Sequence, residues 1–472
     1  MTRSQALEKS CREGKRNRLR TWTLAFLCMV LASCLALPTP LAFAEVKKSD
    51  VISGTSVEER GLTVAQCPDI DSSYAIVMDA DGDILYERNA DTTSKIASIT
   101  KVMTAIVSLE YGDANDQITV SEYAAEIGES SANLQTGDVL SRDTALKALM
   151  IPSGNDAAQA LCEYYGQKML AEQGVTGDDT AAMNAFVAAM NETAAKIGMS
   201  NSLFCNPHGL DDGEYEGDHH STAHDVALMC AYAMQKSEFR SLVCNEEEVI
   251  KVKRGGEDVE ITLESTDELL GSLDGACGIK TGYTNAAGAC FAGCVNRNGK
   301  DLYTVVLGAP DESTRFTDTK LLVTWYYEHM IDFPLVNTTE YTTTSNGSVP
   351  VIATIAHNDY VDRTIKATYA NPTQTLKVFN LDGNVSQKLE AKTITGNVQA
   401  GQVIGQVVYL QHNVEVCRVD LIAAEDCPAP NPLETLVTMG DRCIRSLTGQ
   451  KTVATSKLVN KSTLINDKTS SL

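Results

Sequence analysis

The sequence predicts an α+β fold in which helices pack on an antiparallel sheet, followed by a small all-β domain. Strand-like runs occur before residue 90 and again between residues 278 and 309, and the residues between them follow helical spacing, which suggests a sheet with a helical subdomain. After residue 334 the sequence changes to short alternating runs rich in Thr and Val, which are typical of strands. The 472 residues are 43% hydrophobic and 21% charged, a composition that excludes a disordered or collagen-like chain.

Residues 1–44 are predicted to be a signal peptide. Basic residues precede an uncharged, mostly apolar run over residues 22–44, and Ala42-Phe43-Ala44 forms a small-x-small cleavage site before Glu45. Two alternatives stay open: an uncleaved segment that associates the protein with the membrane, and a lipoprotein processed at Cys34. All three export the body of the chain, so we expect an extracytoplasmic protein at the cell wall or membrane surface.

The charge distribution argues against a nucleic-acid partner. The net charge is −23 although the first 21 residues are basic, so the exported part of the chain is strongly acidic. Binding along a phosphate backbone needs clustered Lys and Arg, which such an acidic surface opposes.

The first predicted domain covers residues 69–330. Residues 45–68 mix charge with Ser and Gly without a sustained period, and they are predicted to be a linker before it. The elements predicted in this domain are strands at Tyr74–Met78 and Ile84–Tyr86, a helix from Ser98, further helices over residues 143–200, strands at Cys290–Val295 and Leu302–Leu307, and a helix over Asp318–Met330.

Residues 334–424 are predicted to form a separate β-rich domain. Its candidate strands are Val349–Ile355, Thr364–Tyr369, Thr375–Leu381, Val403–Leu410 and Val414–Ile422. Residues 425–472 are predicted to be a tail that contains one short amphipathic helix, Leu433–Leu447, and that is disordered over its last 20 residues.

Ser98-Ile-Thr-Lys101 is the first motif that carries chemistry. At the start of a helix, positions i and i+3 share a face, so Lys101 can reach Ser98 Oγ. A lysine removes a serine proton only if burial or a neighbouring positive charge lowers its own pKa. The helix start also offers free backbone N–H groups where an oxyanion could form. Alone, the motif is weak because S-x-x-K often arises by chance, and a capping serine beside a solvated lysine explains it better.

Ser153-Gly154-Asn155 is the second motif, and it follows a helix-like run that ends at Pro152. A hydroxyl and an amide on a tight turn can pass a proton and orient a lysine. The same three residue types also favour ordinary turns, so this motif means little by itself.

Lys280-Thr281-Gly282 is the third motif, and it lies on a predicted strand. Lys280 would add positive charge near Lys101, and Thr281 could donate a hydrogen bond to an anionic substrate group. Gly282 leaves room for another backbone to approach the strand closely. The alternative is a surface lysine on an edge strand.

In this order the three motifs resemble the active-site triplet of serine penicillin-recognising enzymes. The flanking residues resemble those of the D-alanyl-D-alanine carboxypeptidases, the low-molecular-mass penicillin-binding proteins of peptidase family S11; they are Ala97–Thr104, Ser153–Ala157, Asn206–Leu210 and Gly278–Thr284. The resemblance covers residues 69–330 and implies a penicillin-binding, β-lactamase-like transpeptidase fold there. The segment with Gly401–Gly405 resembles that family's C-terminal domain more weakly.

The resemblance implies a serine acyl-enzyme mechanism that removes the terminal D-alanine from peptidoglycan stem pentapeptides. Ser98 would be the nucleophile and Lys101 the general base, with Ser153 relaying the proton to the leaving D-alanine. Asn155 would position Lys101 and the substrate. β-Lactam antibiotics would acylate the same serine as inhibitors, and no cofactor is implied.

The resemblance also implies how the substrate is held. Backbone N–H groups of Ser98 and Tyr283 would form the oxyanion hole, and Lys280, Thr281 and Gly282 would bind the terminal carboxylate. Arg315 lies ten residues before Trp325, a spacing at which an arginine assists carboxylate binding in some relatives. A lone arginine is nevertheless more often a member of a surface ion pair.

Two other functions stay open. A β-lactamase of the same fold would need an efficient deacylating group, and no Glu-x-x-x-Asn run follows the second motif at a convincing spacing. A non-catalytic exported protein that only binds peptidoglycan would not need the intact Ser98, Lys101, Ser153 and Lys280.

Cysteine and histidine give weaker signals. Fourteen cysteines include three in the leader, so an odd number remains and at least one thiol stays unpaired in a monomer. A hairpin centred between Asn285 and Ala286 would place Cys277 opposite Cys294, which predicts a disulfide. His219, His220 and His224 are close in sequence but have no fitting carboxylate scaffold, so no metal site is expected.

Overall fold

The structure is a computed structural model that describes residues 50–63, 66–345 and 347–465. The predicted signal peptide lies outside these residues. The chain divides into two units, and the smaller includes Leu62–Asp69, in which the backbone N–H and the hydroxyl of Thr63 each donate to Gln66 Oε1 at 3.0 Å. All elements below belong to the larger unit. No helix within the described ranges has both the length and the apolar character needed to cross a membrane.

The first part of the larger unit is built on two antiparallel sheets. Its strands, in chain order, are β1 (Asp50–Ile52), β2 (Thr55–Ser56), β3 (Tyr74–Asp79), β4 (Ile84–Arg88), β5 (Gln117–Thr119), β6 (Val139–Ser141), β7 (Glu247–Arg254), β8 (Glu257–Glu264), β9 (Ala276–Thr284), β10 (Gly288–Arg297) and β11 (Lys300–Ala309). The large sheet has the order β2-β1-β4-β3-β11-β10-β9, and β5-β6-β7-β8 form the small one.

Helices cover the large sheet on both faces. The helices of this first part of the unit are α1 (Val57–Arg60), α2 (Lys101–Tyr111), α3 (Glu122–Glu126), α4 (Arg142–Met150), α5 (Asn155–Glu172), α6 (Asp179–Ile197), α7 (Ala223–Met234), α8 (Ser237–Val243) and α9 (Glu312–His329). Helix α2 is central: it contacts α4 to α7, and residues 101–108 are all buried. Successive residues of a strand face opposite sides, so Ala292 joins the helical core while Phe291 packs edge-on against Phe316 of α9 at 5.2 Å between ring centroids.

The second part is β-rich, as predicted. Its elements are β12 (Met330–Pro334), β13 (Tyr341–Thr344), β14 (Gly347–Pro350), β15 (Ala353–Ala356), β16 (Thr364–Tyr369), β17 (Thr375–Phe379), β18 (Val385–Ala391), β19 (Val403–Gln411), β20 (Val414–Ala423), α10 (Pro432–Leu447) and β21 (Lys457–Leu458). Six of the strands form a sheet in the order β18-β19-β20-β16-β15-β21. In its core the hydroxyls of Tyr369 and Tyr409 lie 2.6 Å apart, and Tyr409 donates to Leu335 O at 2.8 Å.

Helix α10 confirms the amphipathic helix predicted over Leu433–Leu447, and its apolar stripe faces away from the β-rich part. The large apolar side chains of the stripe, Leu433, Leu436, Val437, Ile444 and Leu447, are all exposed. The polar side is held to the β-rich part because Arg442 donates to Asn358 O and Arg445 pairs with Asp362 at 2.9 Å.

The α+β fold class and most predicted elements are confirmed, but several boundaries differ. Helix α9 begins at Glu312 instead of Asp318 because the Asp311 side chain caps it by accepting from the backbone N–H groups of Ser313 and Thr314. The hairpin β7–β8 was not predicted. The last 20 residues were predicted to be disordered, yet β21 pairs with β15 and Asn460 is buried.

The disulfide predicted between Cys277 and Cys294 is wrong. Both residues are free thiols, and Cys277 Sγ donates to Cys294 O at 3.4 Å. The hairpin is also shifted by one residue, since Lys280 pairs with Ala292, and a bulge between Gly293 and Val295 then changes the register.

The linker predicted over residues 45–68 is wrong for the segment that begins at Asp50. Strand β1 pairs with β4, and the Asp50 carboxylate accepts from Arg88 Nε and Nη2, each at 2.7 Å, and from Tyr86 Oη at 2.9 Å. Arg88 also donates to Ile70 O at 2.6 Å. Both members of this ion pair are buried, so the pair joins the backbone pairing with β4 in holding β1 on the sheet.

Removing one member of this buried pair should destabilise the protein strongly. Arg88→Met leaves the Asp50 carboxylate buried without its cation, and we expect a loss of about 3–5 kcal/mol in the free energy of unfolding. Lys300→Met, which breaks an exposed ion pair with Asp81 on the same sheet, is the matched control and should change stability little. Thermal and denaturant unfolding followed by circular dichroism measure both. Equal effects of the two substitutions would contradict the structural role of β1.

Candidate active site

Ser98 lies on the 3₁₀ turn Ala97–Thr100, which leads directly into α2. Lys101 is the first residue of that helix and is fully buried. Its Nζ lies 2.7 Å from Ser98 Oγ, so the i, i+3 contact predicted from the sequence is present. Ala97, next to the serine, has a φ of 46°; a non-glycine residue in this region is strained and recurs where a site fixes its geometry.

Two other segments supply acceptors for the same amine. Lys101 Nζ lies 2.6 Å from Asn155 Oδ1 and 3.1 Å from the backbone carbonyl oxygen of His208. Asn155 is itself oriented, because its Nδ2 donates to Gly128 O at 3.0 Å. A neutral amine has two N–H bonds and one lone pair, so it can donate to these two oxygens and accept the proton of Ser98.

The surroundings favour this neutral form of Lys101. Burial lowers its pKa well below the usual value for lysine, and the positive charge of Lys280 lowers it further, against a smaller opposing effect of Asp156. Asp156 is anchored by the backbone N–H groups of Ala132, at 3.0 Å, and Leu134, at 3.1 Å. The arrangement therefore gives Ser98 a neighbouring base.

Ser153 occupies the turn between α4 and α5. It has a φ of 65° and is buried, directly before the residues that begin α5. Gly154 is required there because a Cβ would lie 2.5 Å from Asp156 Oδ1 and 2.7 Å from Ala148 O. The turn thus places Ser153 just before α5, whose first residue, Asn155, contacts Lys101.

The third motif lies on β9, where Lys280 and Thr281 are both buried. Lys280 Nζ donates to Thr281 O at 3.1 Å, and the hydroxyls of Thr281 and Thr266 are 2.6 Å apart. A Cβ on Gly282 would lie 2.9 Å from Ile96 O and 3.2 Å from Ser98 N, so the close backbone approach predicted at this glycine is confirmed. Strand β9 does lie at the edge of the large sheet, but the alternative of a surface lysine there is wrong because Lys280 is buried.

Lys280 is the second lysine of the site whose pKa is lowered. Burial lowers the pKa of Lys280 to about 7, the charge of Arg315 contributes to the decrease, and Asp267 opposes it. Burial also raises the pKa of Asp267 to about 6. Arg315 is thus the neighbouring cation whose charge acts on Lys280.

Arg315 lies behind the third motif instead of on the surface. Its Nη1 donates to Gly282 O at 3.1 Å and its Nη2 to Glu312 Oε2 at 2.9 Å, and its side chain is only 6% exposed. The ring of Tyr283 is half exposed, and its backbone follows Gly282 on β9. Arg315 therefore contacts the strand that carries Lys280.

The structure adds groups that the sequence did not single out as functional. His208 contributes a backbone carbonyl, Asp156 a negative charge near Lys101, and Thr266 a hydroxyl beside Thr281. Thr266 had no sequence signal, whereas Asp156 and His208 lie in the flanking runs Ser153–Ala157 and Asn206–Leu210, respectively. Gly209 of the run Asn206–Leu210 has a φ of 88°, and a Cβ there would lie 1.9 Å from Ala97 O. The run therefore packs closely against the Ser98 turn.

The three histidines that are close in sequence point to different partners. His219 Nε2 lies 2.8 Å from Thr100 Oγ1, whereas His220 Nδ1 lies 3.1 Å from Asp218 Oδ1 and His224 Nδ1 lies 3.0 Å from Asp91 Oδ1. Burial lowers the pKa of His219 to about 4. Their side chains are therefore engaged in separate local contacts.

The site combines the Ser98 hydroxyl, the Lys101 amine that can take its proton when neutral, and the buried Lys280 on the neighbouring strand β9. Such a set supports nucleophilic attack by serine on a carbonyl carbon of a substrate that carries an anionic group. Free backbone N–H groups at a helix start can stabilise the oxyanion that forms.

Comparison with known proteins gives consistent results. A model of the D-alanyl-D-alanine carboxypeptidase family, peptidase S11, matches residues 62–311, more than half of the chain. The D-alanyl-D-alanine carboxypeptidase DacF of Bacillus subtilis is 26% identical over 380 residues, which cover 79% of this chain and 90% of that protein. A D-alanyl-D-alanine carboxypeptidase of Streptomyces sp. (strain K15) is 32% identical over 251 residues, 51% of this chain and 82% of that protein.

Two solved structures are similar in fold. The Streptomyces K15 DD-transpeptidase aligns with a TM-score of 0.51 and 28% identity, over 55% of this chain and 98% of that one. The D-alanyl-D-alanine carboxypeptidase DacD from Francisella tularensis aligns with a TM-score of 0.51 over 76% of this chain and 94% of that one. At 23% identity the second likeness concerns the fold alone, and its coverage extends into the β-rich part.

Proposed function

Since this chain belongs to the D-alanyl-D-alanine carboxypeptidases of peptidase family S11, we propose that Ser98 attacks the peptide carbonyl between the two terminal D-alanines of a peptidoglycan stem pentapeptide. The observation that carries the proposal is the 2.7 Å contact between Ser98 Oγ and Lys101 Nζ. It joins the nucleophile to an amine whose pKa burial and Lys280 lower, which is what a general base requires.

The reaction proceeds in two stages. Lys101 takes the Ser98 proton while Oγ bonds to the carbonyl carbon, and the backbone N–H groups of Ser98 and Tyr283 stabilise the oxyanion. Collapse breaks the peptide bond, and Ser153 relays the proton to the leaving D-alanine. Water then attacks the acyl-enzyme with Lys101 again as base, which releases the shortened peptide and restores Ser98. Asn155 keeps the Lys101 amine in place throughout.

Lys280 and Thr281 bind the terminal carboxylate of the substrate. Support comes from the buried cation beside a hydroxyl that Thr266 orients at 2.6 Å. Arg315 acts from behind the strand, since it holds Gly282 O at 3.1 Å and adds positive charge. An anion bound at Lys280 is thereby placed next to the Ser98 turn that Gly282 touches.

We assign these steps to a catalytic domain of residues 69–330, followed by the β-rich domain of residues 334–424. β-Lactams acylate the same serine. Rapid release of the antibiotic, which a β-lactamase needs, is not expected, and a protein that only binds peptidoglycan would not need the buried Lys101.

Ser98→Ala should abolish both peptide hydrolysis and covalent labelling by a fluorescent penicillin, with a loss of activity of about 10⁴-fold or more because the residue belongs to a catalytic unit. Ser108→Ala is the matched control: this serine lies on α2, the helix that follows the Ser98 turn, and donates to Thr104 O, so its variant should keep the label. Persistent label in Ser98→Ala refutes the nucleophile. In the wild-type protein, stable label supports the carboxypeptidase, rapid loss indicates a β-lactamase, and no label indicates a binding protein.

Lys280→Ala should raise the pKa of Lys101, because it removes a like charge. A neutral ester substrate isolates this effect, since it has no carboxylate to lose. The rate of acylation rises with pH as Lys101 loses its proton, so the midpoint of this acid limb should move to higher pH in the variant. Lys280→Arg keeps the charge and should leave the midpoint near that of the wild type. A midpoint that stays put or moves down in Lys280→Ala shows that Lys280 does not tune the base.

We propose further that the protein is exported and processed after Ala44, so that the enzyme works at the cell wall or membrane surface. The support is the charge and apolar pattern of residues 1–44 together with the peptidoglycan substrate. N-terminal sequencing of the protein isolated from its cells should find Glu45 as the first residue. An intact N-terminus would indicate a membrane-associated segment instead, and a lipid-modified Cys34 would indicate a lipoprotein.

A further inference from the structure

Two tyrosines that the proposed reaction does not use contact each other through their hydroxyl groups. Tyr123 lies on α3 and Tyr215 on the 3₁₀ turn Gly213–Tyr215, and their hydroxyl oxygens are 2.7 Å apart. Burial and this hydrogen bond raise the pKa of Tyr215, so its hydroxyl keeps its proton at neutral pH. The contact joins two segments that are distant in sequence, and each of them leads to Lys101.

Tyr215 leads to the backbone oxygen that holds Lys101. Its ring packs edge-on against the ring of His208, with 4.6 Å between the ring centroids, and the His208 carbonyl accepts from Lys101 Nζ at 3.1 Å. The His208 ring accepts one hydrogen bond, from Leu210 N to Nδ1 at 3.2 Å. Its buried Nε2 has no hydrogen-bond partner within the described residues. The ring of Tyr215 therefore helps to hold the imidazole, and with it the carbonyl of the same residue, in place.

Tyr123 leads to the side-chain oxygen that holds the same amine. Helix α3 packs against α5, whose first residue, Asn155, places its Oδ1 2.6 Å from Lys101 Nζ. The chain that leaves α3 supplies the carbonyl of Gly128, which accepts from Asn155 Nδ2 at 3.0 Å. One short segment thus carries both the Tyr123 hydroxyl and the carbonyl that orients the Asn155 amide.

We propose that Tyr123 and Tyr215 are positioning residues for the general base, because their hydrogen bond closes a ring of contacts that passes through Lys101. The two segments that hold the amine are then fixed to each other as well as to the amine, so its Nζ stays directed at Ser98 Oγ at 2.7 Å. This role presupposes that Lys101 is the base for Ser98 in the proposed reaction. A misplaced base slows proton transfer, since the transfer needs both groups within hydrogen-bond reach.

The loop that carries Tyr215 is also attached to β9. Thr284 Oγ1 on that strand donates to Asp211 Oδ2 at 2.7 Å, so the loop has a second anchor that does not depend on the tyrosines. Lys280 and Thr281, which bind the substrate carboxylate in the proposed reaction, lie on β9 and outside the ring of contacts. Loss of the tyrosine contact should therefore slow acylation without weakening the binding of an anionic substrate.

The test measures how fast a fluorescent penicillin labels the full exported chain at several penicillin concentrations. These rates give the dissociation constant of the complex before acylation and, separately, the rate constant of acylation. Tyr123→Phe and Tyr215→Phe each keep the ring and remove one hydroxyl. We expect either variant to lower the rate constant by about 3–10-fold, the range that one neutral hydrogen bond supports, and to leave the dissociation constant unchanged. The double variant should lose no more than either single variant, because all three lack the same contact.

Tyr232→Phe is the matched control. Its hydroxyl donates to Glu110, at the end of α2 that is remote from Lys101, so this variant should acylate at the wild-type rate. Tyr123 is 45% exposed, and its Phe variant should fold with an unchanged melting temperature.

Three results overturn the proposal: unchanged rate constants in both Phe variants, losses that add in the double variant, and a change confined to the dissociation constant. Each of them leaves the proposed function intact as long as the wild-type protein is labelled at Ser98. A wild-type protein that takes no label, or a Ser98→Ala variant that keeps it, refutes the proposed function and the positioning role together.

Discussion

The buried amine of Lys101 is the constraint on which the rest of the site depends. Taking a lysine side chain completely out of water is costly unless the group is neutral and hydrogen-bonded. Its partners are Ser98 on the adjoining turn and two groups from distant segments, Asn155 at 2.6 Å and the carbonyl of His208 at 3.1 Å. The helical subdomain, the loop with His208 and the start of α2 must therefore be held at fixed distances from one another.

Close backbone contacts hold those distances. Gly282 brings β9 against the Ser98 turn, and Gly209 brings the loop with His208 against Ala97 from another direction; a Cβ at either position would overlap the turn. Behind the turn, residues 101–108 of α2 are all buried, so the helix cannot move aside. The backbone of the Ser98 turn is thus held from two directions, and in the proposed mechanism such preorganisation would lower the cost of reaching the transition state.

Contacts between residues close in sequence could be predicted, whereas contacts between residues distant in sequence could not. The contact of Ser98 with Lys101 is local and follows from helical spacing alone. Strand β1 was not predicted because a three-residue strand is too short to show a hydrophobic period. It is also fixed by Arg88, which is remote in sequence. The hairpin β7–β8 carries charged residues along both strands, so it resembles a solvated loop. His208 acts through its backbone carbonyl, which any residue possesses, and therefore only a resemblance to a family could draw attention to it.

The two lysines face opposite requirements within one site, and their environments separate them. A general base must be neutral, whereas a group that binds a carboxylate must be charged. Burial and the charge of Lys280 drive the pKa of Lys101 well below its usual value, and burial with the charge of Arg315 lowers the pKa of Lys280 to about 7. A bound substrate carboxylate favours the charged form of Lys280 and so raises its pKa. In the proposed mechanism the anionic substrate would favour the charged form of the Lys280 that holds it, and that charge would keep Lys101 neutral, so carboxylate recognition and activation of Ser98 would reinforce each other.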